Sequence, residues 1–165
     1  MTMTTTIAVG DSLPDVTFRT MTSKGPAERS TGEVFAGKTV ALFAVPGAFT
    51  PTCHQKHLPG FLDNFKRFVA KGVDTIACTA VNDAFVLDAW SKDTGAGDRI
   101  VMLADGSGDF AKAIGMDVDL SPVGLGLRTR RYAMLVRDGV VAILNIEEKP
   151  SSAEASGAEA LLRDM

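Results

Sequence analysis

Cysteine is scarce in this chain: two in 165 residues, Cys53 and Cys78, with no Cys-x-x-Cys pair. So few cysteines cannot build a disulfide scaffold, and the missing Cys/His spacing rules against a structural zinc site. An excess of positive charge is missing too. Seventeen Lys plus Arg against twenty Asp plus Glu give a formal net charge of −3, which argues against a generic nucleic-acid surface or a polybasic membrane patch. No apolar run approaches the roughly 20 residues that a membrane-spanning helix needs. Met1 to Gly10 also lacks the basic start and continuous apolar stretch of a secretory or transit signal. These absences lead to the expectation of a cytoplasmic, reducing setting in which both cysteines are free thiols. A cysteine that matters here does so through reactivity.

Apolar residues, in contrast, are plentiful. A chain 45% hydrophobic and 22% charged, with no internal repeat or low-complexity linker, is expected to form one domain over 1–165. Thr20 to Thr31 reads as a surface loop. Thr39 to Val45 is apolar almost throughout, as a strand covered on both faces should be, and stops at Pro46-Gly47. Leu58, Phe61, Leu62, Phe65, Phe68 and Val69 recur at helical spacing up to Lys71-Gly72. Val73 to Val81 is a second buried strand, so the three elements make a right-handed βαβ unit. Asp83 caps a helix running through Trp90; Ile100 to Leu103 forms a short strand and Asp109 to Gly115 a short helix. Arg131 to Val136 pairs with Val140 to Ile146 across Asp138-Gly139, a hairpin signal. A last helix starts at Ser156, with Glu159 completing a capping box. This order describes an α/β fold with a mixed central β-sheet flanked by α-helices, and a thioredoxin-like fold fits it.

The chemistry concentrates between the first buried strand and the first long helix. Thr50 suits an N-cap, Pro51 the first helical position, and Cys53 then falls in the first turn. Unpaired N–H groups and the positive end of the helix dipole favour thiolate over thiol there, and Lys56, His54 and His57 add nearby cationic groups. Pro59 removes a backbone donor inside the helical pattern, so a kink or break that exposes the first turn is expected. A second cationic cluster contains Arg128, Arg130 and Arg131. Strand alternation puts Arg131 on the face of Ala133 and Leu135 and Arg130 on that of Tyr132; periodicity alone does not say which face meets Cys53.

Pro46, Thr50 and Cys53 form a Pro-x-x-x-Thr-x-x-Cys pattern, and the segment Val45 to Phe61 resembles the active-site loop of peroxiredoxins, in particular the peroxiredoxin-5-like (type II, atypical) branch. The resemblance extends to Val81 to Val86 with Trp90, Leu103-Ala104-Asp105, and Arg131 to Met134 followed by Asp138-Gly139. It implies a thiol peroxidase for hydrogen peroxide and organic hydroperoxides, with no cofactor or metal. Cys53 would be the peroxidatic nucleophile and go to a sulfenic acid. Thr50 would offer its hydroxyl to the peroxide, and Pro46 would shield the thiolate. Arg131 would hold the charge on sulfur, with Arg128 in reserve. Gly47, His57 and Arg128 would support the substrate and its loop. His54 is expected to be exposed.

Cys78, in the middle of a buried strand, reads as a core thiol, and no cysteine follows it. A resolving cysteine is therefore not expected, and an outside thiol must close the cycle: glutathione with glutaredoxin first, thioredoxin second. A homodimer is expected, with the loops near the active site meeting; Phe49, Phe85 and Trp90 are either part of that surface or core. Two other classes compete. A thiol–disulfide oxidoreductase is permitted by the fold but lacks a local second thiol, and a redox-sensing or chaperone-like binding protein would use Cys53 oxidation as a switch.

Overall fold

Alternation along two strands explains the layers of the molecule. In β3 (Thr39–Ala44), Val40, Leu42 and Ala44 point to one side of the sheet and Ala41 and Phe43 to the other, and all five are buried. In β8 (Tyr132–Arg137), Tyr132, Met134 and Val136 join the first side, while Ala133 and Leu135 join the second. A sheet apolar on both faces needs cover on both. The described residues of this computed structural model, 5–149 and 152–165, supply it; the reading of Met1 to Gly10 thus falls partly outside them, at residues 1–4.

The sheet has seven strands in the order β2-β1-β5-β4-β3-β8-β9. Its centre is parallel, β3 pairing with β4 (Thr75–Ala80) and β4 with β5 (Val101–Ala104). Antiparallel strands complete both sides: β8 and β9 (Val140–Ile146) beyond β3, and β1 (Thr17–Thr22) and β2 (Gly25–Ser30) beyond β5. One face packs under α1 (Thr31–Phe35) and α5 (Asp109–Ala113), through Val34, Phe35 and Phe110. The other lies under α2 (Leu58–Asp63), α3 (Phe65–Ala70), α4 (Ala84–Thr94) and α6 (Ala158–Asp164), through Phe61, Phe68, Trp90 and Leu161. The mixed sheet with helices on both faces is the thioredoxin-like α/β arrangement.

Several expectations need correction. The presumed loop Thr20 to Thr31 is mostly the β1–β2 hairpin, followed by α1. A small second sheet joins β6 (Asp117–Asp119) to β7 (Leu127–Thr129). The helix after Leu58 is interrupted at Asn64, whose side-chain amide donates to Gly60 O at 2.7 Å. The capping box at Ser156 does not form: Gly157 stands at the cap, the Ser156 hydroxyl bonds Glu147, and Glu159 pairs with Arg67 at 2.7 Å. The Asp138-Gly139 hairpin does form, both residues having positive φ (48° and 76°), as a tight turn matched to strand twist requires.

Candidate active site

Pro46, Gly47 and the loop to Thr50 leave the end of β3 and turn into a helix. The ladder opens with His54 N–H donating to Thr50 O at 2.8 Å, so Pro51 loses nothing by lacking a donor, and the Cys53 N–H belongs to the donor-rich first turn. The Thr50 hydroxyl does not cap that turn as expected; it donates to Gly47 O at 2.7 Å. Cys53 to His57 form a widened turn, with Leu58 N–H reaching Cys53 O five residues back. Pro59 follows directly, so the missing donor produces a wide turn in place of the expected break. The outer side of the turn is exposed at Pro51, Gln55 and Lys56, as expected, but Cys53 itself is fully buried.

The sulfur's partner comes from far along the chain. Arg131, just before β8, donates from Nη2 to Cys53 Sγ at 3.0 Å, and its Nη1 lies 2.9 Å from His57 Nδ1. The side chain is 3% exposed. Arg131 lies on the sheet face of Ala133 and Leu135, the side on which Cys53 packs, so the choice left open by alternation falls to Arg131. Arg128 turns elsewhere: Nε donates to Leu125 O at 2.9 Å and Nη1 to Pro46 O at 3.3 Å, bracing the loop. Gly47 makes room for it, since a Cβ there would lie 3.0 Å from Arg128 Nη1 and 3.1 Å from Thr50 Cγ2. Pro46 is buried beside this loop.

His57 is a buried, neutral acceptor. Burial first, then the Arg131 charge, pushes its pKa down to about 3, against a raising influence from its bond to Ser156. Nε2 lies 2.8 Å from Ser156 O, and the ring packs on Phe43 and Phe61 at centroid distances of 5.0 and 5.7 Å. His54, expected to be exposed, keeps about a third of its side chain in solvent (35%) and also accepts from Trp90 Nε1 at 2.9 Å through Nδ1 and stacks on Phe49 at 5.9 Å. Sequence reasoning missed Asn82, whose Oδ1 accepts from Ala48 N–H at 3.0 Å and ties the loop to the start of α4. It also missed Glu147 and the role of Ser156, which support His57 from behind; no local pattern marks Glu147, and the one at Ser156 pointed to a helix cap.

Cys78 occupies the middle of β4, paired with Phe43 on one side and Met102 on the other, and is fully buried. Burial, and then the proximity of Cys53, push its thiol well above the ordinary value, against the opposing influence of Arg131. Both cysteines are free. Among the described residues no group of three or more His, Cys, Asp or Glu is placed to hold a metal ion, and no helix is long and apolar enough to cross a membrane. A cavity of about 150 Å³ touches the site, lined by Pro46, Leu120, Thr129, Arg131 and Glu147 among others.

A buried thiol held by a guanidinium, at a strand-to-helix junction of a thioredoxin-like sheet, defines a thiol-based redox protein. The redoxin family model matches residues 8–162. The chain is 49% identical to peroxiredoxin-2E of Arabidopsis thaliana, over 96% of this chain and 70% of that protein. It is 44% identical to peroxiredoxin-2C of Oryza sativa subsp. japonica, over 95% and 97%. Among solved structures, reduced Prx3 of Vibrio vulnificus in complex with hydrogen peroxide superposes with a TM-score of 0.90 at 49% identity, covering 96% of this chain and 98% of that one. Peroxiredoxin 5 of Alvinella pompejana superposes at 0.83 and 36% identity, over 95% and 96%. The chain belongs to the peroxiredoxins, on their atypical side, and is a thiol-based peroxidase.

Proposed function

We propose that Cys53 is the peroxidatic cysteine and that a small hydroperoxide is its substrate, hydrogen peroxide or a short organic one. The observation that carries this is the Arg131 Nη2 contact with Cys53 Sγ at 3.0 Å in a water-poor site. The thiolate attacks one peroxide oxygen: the S–O bond forms, the O–O bond breaks, sulfur loses two electrons, and the leaving oxygen takes a proton to depart as water or an alcohol. Negative charge moves from sulfur to the leaving oxygen, and donors fixed along that line lower the barrier most. Arg131 is such a donor. Thr50 has committed its proton to Gly47 O, so its oxygen is an acceptor for the peroxide O–H. Pro46 shields the sulfur, and Gly47 with Arg128 holds the loop. The cavity between Pro46 and Arg131 suits the alkyl end of an organic hydroperoxide. Burial of the sulfur favours a small oxidant over a protein disulfide, which must present a bulky sulfur pair to an accessible thiol. The Vibrio relative, solved with hydrogen peroxide, supports the same substrate.

The reductant in this proposal is external. Cys78, laced into β4 on both sides, would have to leave the sheet to reach Cys53 in disulfide geometry. Glutathione with glutaredoxin comes first, thioredoxin second: the sulfenic acid condenses with a thiol to give water and a mixed disulfide, which a second thiol reduces. The proposal also holds residues 1–165 as one domain working in a reducing, cytoplasmic setting, as a homodimer. Phe49 in the loop before Cys53, Phe85 at the start of α4 and Val123 between β6 and β7 are 48%, 67% and 70% exposed, apolar groups that a second copy would cover. Trp90, by contrast, is core. A coupled NADPH assay with each reductant system, on wild type, Cys53→Ser and Cys78→Ser, tests the cycle; retained turnover in Cys53→Ser sinks it, and dependence on Cys78 overturns the external route. Light scattering at the molar mass of one chain would remove the dimer.

A further inference from the structure

The hydrogen bonds behind Arg131 close on themselves. Its carbonyl accepts from Glu147 N–H at 2.9 Å. Glu147 Oε1 accepts from both the N–H and the hydroxyl of Ser156, each at 3.0 Å. Ser156 O meets His57 Nε2, and His57 Nδ1 meets Arg131 Nη1. The four residues come from the start of β8, the end of β9, the approach to α6 and the Cys53 turn, and all are buried. A guanidinium only donates, so His57 Nδ1 must carry the lone pair and its ring proton must sit on Nε2, where Ser156 O accepts it. The tautomer is therefore held at both ends, by Arg131 at Nδ1 and by Ser156 O at Nε2, and Ser156 is anchored by Glu147.

We propose that Glu147 is a positioning residue for peroxide reduction, acting through Ser156 and His57 to hold Arg131 on the Cys53 sulfur. This rests on the assignment of Cys53 as the reacting atom. Without the anchor, the Ser156 peptide is free to turn and the His57 proton to exchange between nitrogens. A proton on Nδ1 sets N–H against N–H and swings the guanidinium off the sulfur. Glu147 itself touches neither sulfur nor peroxide.

Stopped-flow oxidation of the reduced protein by hydrogen peroxide reads the effect. Glu147→Ala should slow the second-order step about 10-fold, the scale seen for groups that orient a reactive centre's ligands. Glu147→Gln, whose amide oxygen still accepts from Ser156, should recover to within about threefold of wild type. In a His57→Phe background, Glu147→Ala should cost less than about twofold more, because residues acting as one unit are non-additive. The ¹⁵N spectrum of the His57 ring should show the Nε2–H tautomer alone in wild type and a mixture in Glu147→Ala. An unchanged rate in Glu147→Ala, equal losses in the Ala and Gln variants, full additivity with His57→Phe, or an unaltered tautomer each overturns the proposal. If Glu147→Ala does not fold, Ser156→Ala replaces it: deleting the hydroxyl bond should slow the step about threefold, and an unchanged rate overturns the proposal. Turnover persisting in Cys53→Ser would sink the assignment of Cys53 as the reacting atom instead, since the ring spectrum reads the Glu147 relay without reference to turnover.

Discussion

Cys53 and Cys78 are both free, both fully buried, and members of the same apolar cluster on one face of the sheet. Burial therefore does not distinguish them; their partners do. Cys53 stands in the first turn of a helix with a guanidinium at 3.0 Å. Cys78 sits in a strand bonded on both sides, its thiol pushed well up by burial first. A buried thiol without a fixed donor behaves as a small hydrophobe, and one with such a donor can carry charge through a reaction. The same depth serves packing at one site and exclusion of water at the other.

The contrast can be broken most directly by exchanging serine for each cysteine. Cys53→Ser should lower peroxide turnover by at least about 10³-fold, since the nucleophile itself is lost, whereas Cys78→Ser should stay within about twofold in the same assay; comparable losses would erase the distinction. Next in size is the donor. Arg131→Met should reduce kcat/KM for hydrogen peroxide by about 10² to 10³, the cost of removing a fixed transition-state donor, and a loss below about fivefold would mean that the contact is structural.

A third measurement sharpens the comparison through pH. The unfolded chain takes up a proton at His57 near pH 6.5, but the folded one does so only near 3. The stability held there is full above about pH 6.5 and is lost as the pH falls towards 3, by roughly 2 kcal/mol between pH 7 and pH 5. Urea melts should show this slope in wild type and a shallower one in His57→Gln; parallel slopes would count against a neutral buried His57. The smallest effect belongs to the inert thiol. Cys78→Ala should cost about 1 kcal/mol in the same melts, the usual scale for trimming a core side chain, with turnover kept.

Much of the frame was legible in local pattern. The two apolar runs became β3 and β4, and Pro51 and Cys53 took their places in the first helical turn. The β1–β2 hairpin was not legible, because Thr17–Thr22 and Gly25–Ser30 are largely polar strands at the side of the sheet, with little apolar alternation to announce them. Ser156 and Glu159 spell a capping box, yet Glu147, nine positions back, and Arg67, 92 positions back, claim the two side chains. His54 shows a milder form of this: it stays partly in solvent, as its sequence setting suggested, but is also tied to the single tryptophan, 36 positions away.

By itself, then, the sequence determined the strand, turn and helix that carry Cys53, the Asp138-Gly139 hairpin and the buried setting of Cys78. These follow from periodicity and from residues within a few positions of one another, where backbone geometry alone relates neighbours. Periodicity left the arginine open and the resemblance pointed to Arg131; the tertiary structure puts that residue on the sulfur, and it alone sets the surroundings of the His57 ring and places Glu147 behind them. Arg131 meets Cys53 across 78 positions and His57 meets Ser156 across 99. Such pairs come together through strand order and helix packing, which no local pattern encodes.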